Sequence, residues 1–311
     1  MDLSQVQTLF QTHNRSRIER LIELAPNKKN LFFQLLPLLF HTNEPDMPGY
    51  ITGAPQGIVE YQPNKQALDA AKIQQRSFNY KQQAFLTYPL QGLYLINDYG
   101  CLYYPNKPEY DLLLVHDANL ADSEIQLLND KLDLIVEWAQ TFDITLKALL
   151  VNKATTLTKP LDSPYLDRLY CNGLILAGSV PLWWFIKLGE DSPENYHTAT
   201  QKINTDHTFP VAVIDFGPLK NRSAQALYDQ AYHHNINAMN NGLPAFLGLL
   251  YKRIVIENFE SAPWLASAYK HAVYQKQKEA FFCDPYVLKT YYLSNKLPDS
   301  LIGLVRRSLY L

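Results

Sequence analysis

The sequence predicts an α+β protein in three parts: a helical lead-in over residues 1–78, a small mixed-sheet unit over 79–160 and a helical part over 161–311. Three observations predict it. Residues 92–115 read as strand, turn-rich loop and strand. Residues 118–151 add an amphipathic helix and a third strand. Beyond residue 160, helix-favouring segments follow one another. With 47% hydrophobic and 19% charged residues, a chain of 311 residues can bury a sizeable core as one large or two ordinary domains.

In the lead-in, Leu9, Ile18, Leu21, Ile22 and Leu24 recur among Arg and Glu, which predicts a helix over 3–24. Residues 30–40 form a strongly apolar helix, with Pro37 as a kink or a first-turn residue. Pro45, Pro48 and Gly49 make 41–50 a loop. Residues 57–61 are a short strand candidate, and 64–78 a helix with a polar face.

In the middle unit, the apolar and aromatic run Gly92 to Ile96 suits a buried strand, and Asn97 to Pro108 carries enough Gly, Pro and Asn to break it. Tyr110 to Val115 is the next strand. Ser123 and Gln126 have capping-box spacing ahead of Ile125, Leu128, Leu132, Ile135 and Ala139. Residues 144–151 alternate and then turn fully apolar, a strand able to lie beside 110–115. In the last part, 166–177, 180–187, 223–239, 242–257 and 264–280 favour helix, and 211–216 is one short extended segment.

The chemistry concentrates at Glu109 and Asp111. Residues two apart on a strand share a face, and two carboxylates on one face repel unless a cation lies between them. That arrangement suits a hard divalent ion such as Mg²⁺, commonly held by one or two carboxylates plus substrate phosphates. A solvated strand end is the bland reading of the same pair.

Composition narrows the classes. A net charge of −2 gives no electrostatic footprint for nucleic acid. Cys101, Cys171 and Cys283 form no CxxC pair, which favours a reducing compartment over zinc or disulfide chemistry. The N-terminus lacks a charged segment followed by an apolar run, and the apolar runs at 35–40 and 182–186 are too short to span a bilayer. The expectation is a cytoplasmic protein with no membrane or nucleic-acid partner.

Several stretches, in order, resemble one family: the N-terminal catalytic region of class I adenylate cyclases of the enterobacterial type. They are Leu35-Leu-Pro-Leu-Leu-Phe-His41 through Pro48-Gly49-Tyr50, Pro55-Gln-Gly57-Ile, Tyr61-Gln-Pro63 and Gly92-Leu-Tyr94 before the acidic strand. Further along come Leu176-Ala-Gly178 with the Trp183-Trp184 pair, Asp215-Phe-Gly217-Pro-Leu219, Asp284-Pro-Tyr286, and Leu304-Val-Arg306-Arg307 with Tyr310. The resemblance implies a nucleotidyltransferase palm of the DNA-polymerase-β type with a helical domain packed on it. It also implies conversion of ATP to cyclic AMP and pyrophosphate with Mg²⁺ or Mn²⁺. Family members carry a long regulatory region, and this chain stops where the catalytic region would, so that regulation is expected to be absent.

The chain departs from the family pattern in several places. The family's Gly-Ser after the first palm strand is Asn97-Asp98 here, and its Asp-x-Asp is Glu109-x-Asp111. The acids of the neighbouring strand fall on Thr145 and Asn152, with Asp143 one register slip away. The lysine after Leu-Ala-Gly is Ser179, while Lys252 matches a family lysine and Glu257 follows it. The resemblance assigns Glu109 and Asp111 as catalytic metal ligands, Asp98 as a recruited third ligand, and Asn97, Asp98, Ser179 and Lys252 as nucleotide contacts. Two readings follow: a divergent cyclase, or an inactive pseudo-cyclase that binds a nucleotide or a regulatory protein. Another nucleotidyl transfer, such as adenylylation of a protein, is a third.

Other residues have plainer readings. His233 and His234 diverge on a helix and read as surface, and His116-Asp117 as a solvated strand end. His41 reads as structural, Asp215 as a cap, Trp183-Trp184 as core filling and Arg306-Arg307 as a solvated face.

Overall fold

A computed structural model describes residues 3–26, 28–83, 85–97, 100–101, 104–105, 107–206, 211–220, 223–237, 242–259, 264–275 and 284–307. The lead-in folds as α1 (Leu3–Leu24), α2 (Lys29–His41) and α3 (Lys65–Gln74). Pro37 stands inside α2, whose residues from Leu35 to His41 are all buried. Asn64 caps α3 by accepting the Ala67 N–H at 2.8 Å. The strand expected over 57–61 reduces to a single bridge between Ile58 and Leu90. Left-handed backbone at Gly57 (φ 102°) and Glu60 (φ 54°) interrupts the extended run on either side.

The sheet is built from β1 (Leu90–Ile96), β2 (Glu109–His116), β3 (Thr145–Asn152) and β4 (Leu174–Gly178), in the order β3-β2-β1-β4. β1 runs antiparallel to β2 and β4, and β2 runs parallel to β3. The parallel step needs a crossover, which α4 (Asp122–Gln140) supplies. Its N-terminus is two residues earlier than Ser123 and Gln126 suggested: Glu124 reaches back to accept the Ala121 N–H at 2.9 Å.

The helix expected over 166–177 is corrected. α5 (Ser163–Cys171) ends, and Leu174–Gly178 is the fourth strand of the sheet. The Gly173 N–H and the Asn172 N–H close the helix on the Arg168 carbonyl. A Cβ at Gly173 would lie 2.3 Å from the Leu169 carbonyl oxygen, so only glycine fits the break. A short apolar run gives no periodicity to separate strand from helix. The sheet therefore draws a strand from beyond residue 160.

A two-stranded pair, β5 (Val180–Pro181) with β6 (Val213–Ile214), brackets α6 (Pro193–Asp206). Leu182–Phe185 forms a tight 3₁₀ turn in place of the helix expected over 180–187. The described residues that follow form α7 (Ala224–Asn237), α8 (Gly242–Glu257), α9 (Leu265–Tyr274), α10 (Pro285–Ser294) and α11 (Asp299–Arg307).

The two-residue period of the strands divides the core. Leu93, Leu95, Tyr110, Leu112 and Leu114 belong to a cluster with α2 and α4. Tyr94, Ile96, Leu113 and Val115 belong to another with α1, α5, α8 and α9. Trp183 stacks on Tyr170 (4.5 Å, 2° between planes) and Trp184 on Phe10 (4.5 Å, 18°), so both fill core, as expected. This is the small mixed sheet with packed helices expected of a nucleotidyltransferase palm.

Candidate active site

Glu109 and Asp111 open β2 and lie on the face that carries Leu113 and Val115. Asp111 pairs with Ile96, the last residue of β1. The acid pair thus stands where the first strand ends and the second begins. β3 extends the face in an unbroken parallel register, with Thr145 beside Glu109 and Lys147 beside Asp111. Thr145, Lys147 and Leu149 are exposed, so the β3 side of the acid pair is open to solvent.

That register settles where the neighbouring acids are. Asp143 precedes the ladder, in a turn with φ 53°, and no slip brings it in. Asn152 pairs with His116 at the far end of β3, where its Oδ1 accepts the Ala154 N–H at 2.8 Å. Among the described residues there is no group of three His, Cys, Asp or Glu able to hold a metal ion. Two carboxylates on one face still fit a single hard ion whose shell is completed by phosphate oxygens.

One residue escaped the sequence reading. Arg168, in the last turn of α5, places Nη1 2.9 Å from Asp111 Oδ2, with side-chain exposures of 29% and 18%. A helix C-terminus favours a cation. The guanidinium also lies 5.8 Å from the Tyr165 ring centroid. Burial first, and then the Asp111 charge, push the Tyr165 hydroxyl pKa well up. Nothing local in the sequence marks Arg168, because only the packing of α5 on the sheet brings it to β2.

The expected nucleotide contacts are dispersed. Asn97 is fully buried, and its carboxamide closes the turn after β1: Oδ1 accepts the Gly100 N–H at 2.7 Å and Nδ2 donates to the Gly100 carbonyl at 3.1 Å. Asp98 lies outside the described residues. Ser179 is fully buried, and its carbonyl accepts the Tyr94 hydroxyl at 2.7 Å. It follows Gly178, which pairs with Gly92. Gly92 is roughly 13 Å along β1 from Ile96 at the usual strand rise, so Ser179 is not brought to the acid pair. Lys252 is half-buried on α8, and Glu257 pairs with Arg253 at 2.8 Å.

Other titratable groups serve structure. His41 Nδ1 accepts the Ile58 N–H at 3.1 Å, and burial lowers the imidazole pKa. Asp215 accepts the Tyr196 hydroxyl at 2.7 Å and the Gly217 N–H at 2.9 Å. His116 Nδ1 lies 2.7 Å from the Asp117 carbonyl. Cys101 and Cys171 are buried free thiols, and burial pushes Cys101 up to about 12. The side chains of His233, His234, Arg306 and Arg307 lie outside the described residues, as does Cys283.

The family model described as "Adenylate cyclase NT domain" matches residues 2–184. An adenylate cyclase of Pasteurella multocida is 24% identical over all of this chain and 40% of its own length. One of Escherichia coli K12 is 23% identical over 96% of this chain and 37% of its own length. The chain thus spans about two fifths of the curated relatives it matches. A spectinomycin adenyltransferase from Enterococcus faecialis, crystallised with ATP and spectinomycin, aligns with 72% of this chain and 92% of its own at TM-score 0.31 and 11% identity. No helix among the described residues is long and apolar enough to cross a membrane. With a family model covering more than half its length, the chain belongs to the adenylate cyclase NT domain family.

Proposed function

We propose that this chain acts on ATP as a divergent class I-type adenylate cyclase, forming cyclic AMP and pyrophosphate with Mg²⁺ or Mn²⁺ at Glu109 and Asp111. The observation that carries this reading is the acid pair on one face at the start of β2, with the β3 side of that face open. The ribose 3′-oxygen attacks the α-phosphorus, the bond from that phosphorus to the bridging oxygen breaks, and pyrophosphate leaves as the hydroxyl proton is lost. A divalent ion in such a site lowers the hydroxyl pKa and offsets charge on the leaving group. Glu109 and Asp111 would hold it, and Tyr165 and Leu113 would shield the inner side of the site from water.

A second reading has its own observation. Asp111 Oδ2 is already engaged by Arg168, and Thr145 stands where a third acid would be. In that reading the chain keeps the palm and binds a nucleotide or a regulatory protein without turnover.

Purified protein with ATP and Mn²⁺ or Mg²⁺ should make cyclic AMP, more with Mn²⁺, which is less strict about geometry. Glu109→Ala and Asp111→Ala should each remove most of it. Equal background from wild type and both variants would sink the cyclase reading and leave the binding one.

A further inference from the structure

Resting on the reading of Glu109 and Asp111 as the metal site, we propose that Arg168 is a carboxylate-to-phosphate exchange residue. It holds Asp111 while the site is empty of nucleotide, releases it when a metal–triphosphate complex takes that carboxylate, and then binds the triphosphate.

A backbone cradle at the end of β1 needs free N–H groups, but the Gly100 N–H is taken by the Asn97 side chain and the Cys101 N–H by Asp284. Ser179 is buried and remote from the acids. Among the described residues both of these loop amides are given to side chains, so a triphosphate at Glu109 and Asp111 is met there by side-chain cations. Among the described residues, Lys147, in register with Asp111, and Arg168 share that face.

Arg168 is built for the exchange. Its helix is clamped: Asp162 accepts the Tyr165 N–H at 2.7 Å, Asp167 accepts the Ala266 N–H at 2.7 Å, and Tyr170 donates to the Gly217 carbonyl at 2.6 Å. The backbone at 168 is held while the long side chain stays partly exposed at 29%. Partly solvated ion pairs are weak, so Asp111 is readily given up. A guanidinium fork matches phosphate as well as carboxylate.

The test separates two affinities. Mn²⁺ binding alone is read from the paramagnetic resonance of the free ion, and Mn²⁺ with α,β-methylene ATP from calorimetry. Arg168→Ala should bind Mn²⁺ alone more tightly, and the Mn²⁺–nucleotide about tenfold more weakly, the size of one lost charge-assisted hydrogen bond. Arg168→Lys should keep part of the nucleotide affinity. If Arg168→Ala weakens both or changes neither while Asp111→Asn loses Mn²⁺, the exchange role is overturned and the metal site stands. If wild type binds no Mn²⁺, or Asp111→Asn binds it as wild type does, the metal-site reading fails and takes the exchange with it. Thermal melting of each variant identifies any that is unfolded, and Arg168→Lys then decides.

Discussion

Asp284 and Cys101 join the start of α10 to the loop after β1: Asp284 Oδ2 accepts the Cys101 N–H at 2.8 Å. The other oxygen accepts the Tyr286 N–H at 2.8 Å. The carboxyl is fully enclosed. Burial raises its pKa, and the buried Arg17 guanidinium of α1 opposes that rise. One side chain thus ties the loop after β1 to the start of a late helix, within the field of the α1 guanidinium.

Asp284→Ala leaves two backbone donors without their acceptor and removes a buried carboxyl whose charge interacts with that of Arg17. A loss of about 3–5 kcal/mol is expected, the usual cost of breaking a buried charged network. Urea denaturation measures it. Asp284→Asn keeps an acceptor and should lose clearly less.

Gly100 sits against the same carboxylate with φ 68°, and a Cβ there would lie 2.3 Å from Asp284 Oδ1. Gly100→Ala meets both backbone strain and a clash with a side chain that is itself held at both oxygens. It should destabilise by about 1–3 kcal/mol, whereas Gly303→Ala, which has open space around it, should be neutral or stabilising in the same assay.

Much of this architecture was legible, for identifiable reasons. Long periodic stretches gave α1, α2 and α8, and the acid-x-acid pair marked β2 and the face it presents. Leu174–Gly178 was hidden because five apolar residues fit a buried strand or helix equally, and Gly173 reads as a break only once Leu169 is packed against it. Arg168 was hidden for a stronger reason. A lone arginine on a helix carries no signal, and its importance comes from a contact across the fold. Conversely, Ser179 looked relevant by its place after Leu-Ala-Gly, yet β4 runs antiparallel to β1 and carries it to the other end of the sheet.

Thr145 faces solvent beside Glu109, so a carboxylate there would add a third acid at little packing cost. Without metal, Thr145→Asp should lower stability slightly through like-charge repulsion across the strands. With Mn²⁺ the melting temperature should rise more than in wild type, because a third carboxylate adds charge and a ligand. An equal Mn²⁺ response in the two proteins would show that β3 does not border the ion site.

Lys131 predicts a pH-dependent stability that can be isolated by one substitution. Its side chain is buried in α4, where Nζ donates to Asn43 Oδ1 at 3.0 Å and lies 5.8 Å from the Phe40 ring centroid. Among the described residues no carboxylate is paired with it, and burial lowers its pKa from 10.5 to about 8. Below pH 8 the ammonium is charged in both folded and unfolded chains, and its burial cost is felt in full. Between about 8 and 10.5 the folded protein sheds the proton first, so this group's contribution to stability rises with pH. The fall in pKa corresponds to roughly 3 kcal/mol, an upper bound on what relief of the charge can return. Lys131→Met keeps the stem and removes the charge, and Asn43 retains its bond to the Ile51 carbonyl at 2.6 Å. The variant should be more stable than wild type by about 1–3 kcal/mol at pH 7, with the gap closing by pH 10. Lys270, also lowered to about 8, is held by Asp191 and the Trp183 carbonyl in both proteins, so its titration cancels in the difference. Urea denaturation of the pair at pH 7 and pH 10 decides the matter: a gap that stays constant would place the effect in packing and not in the buried charge.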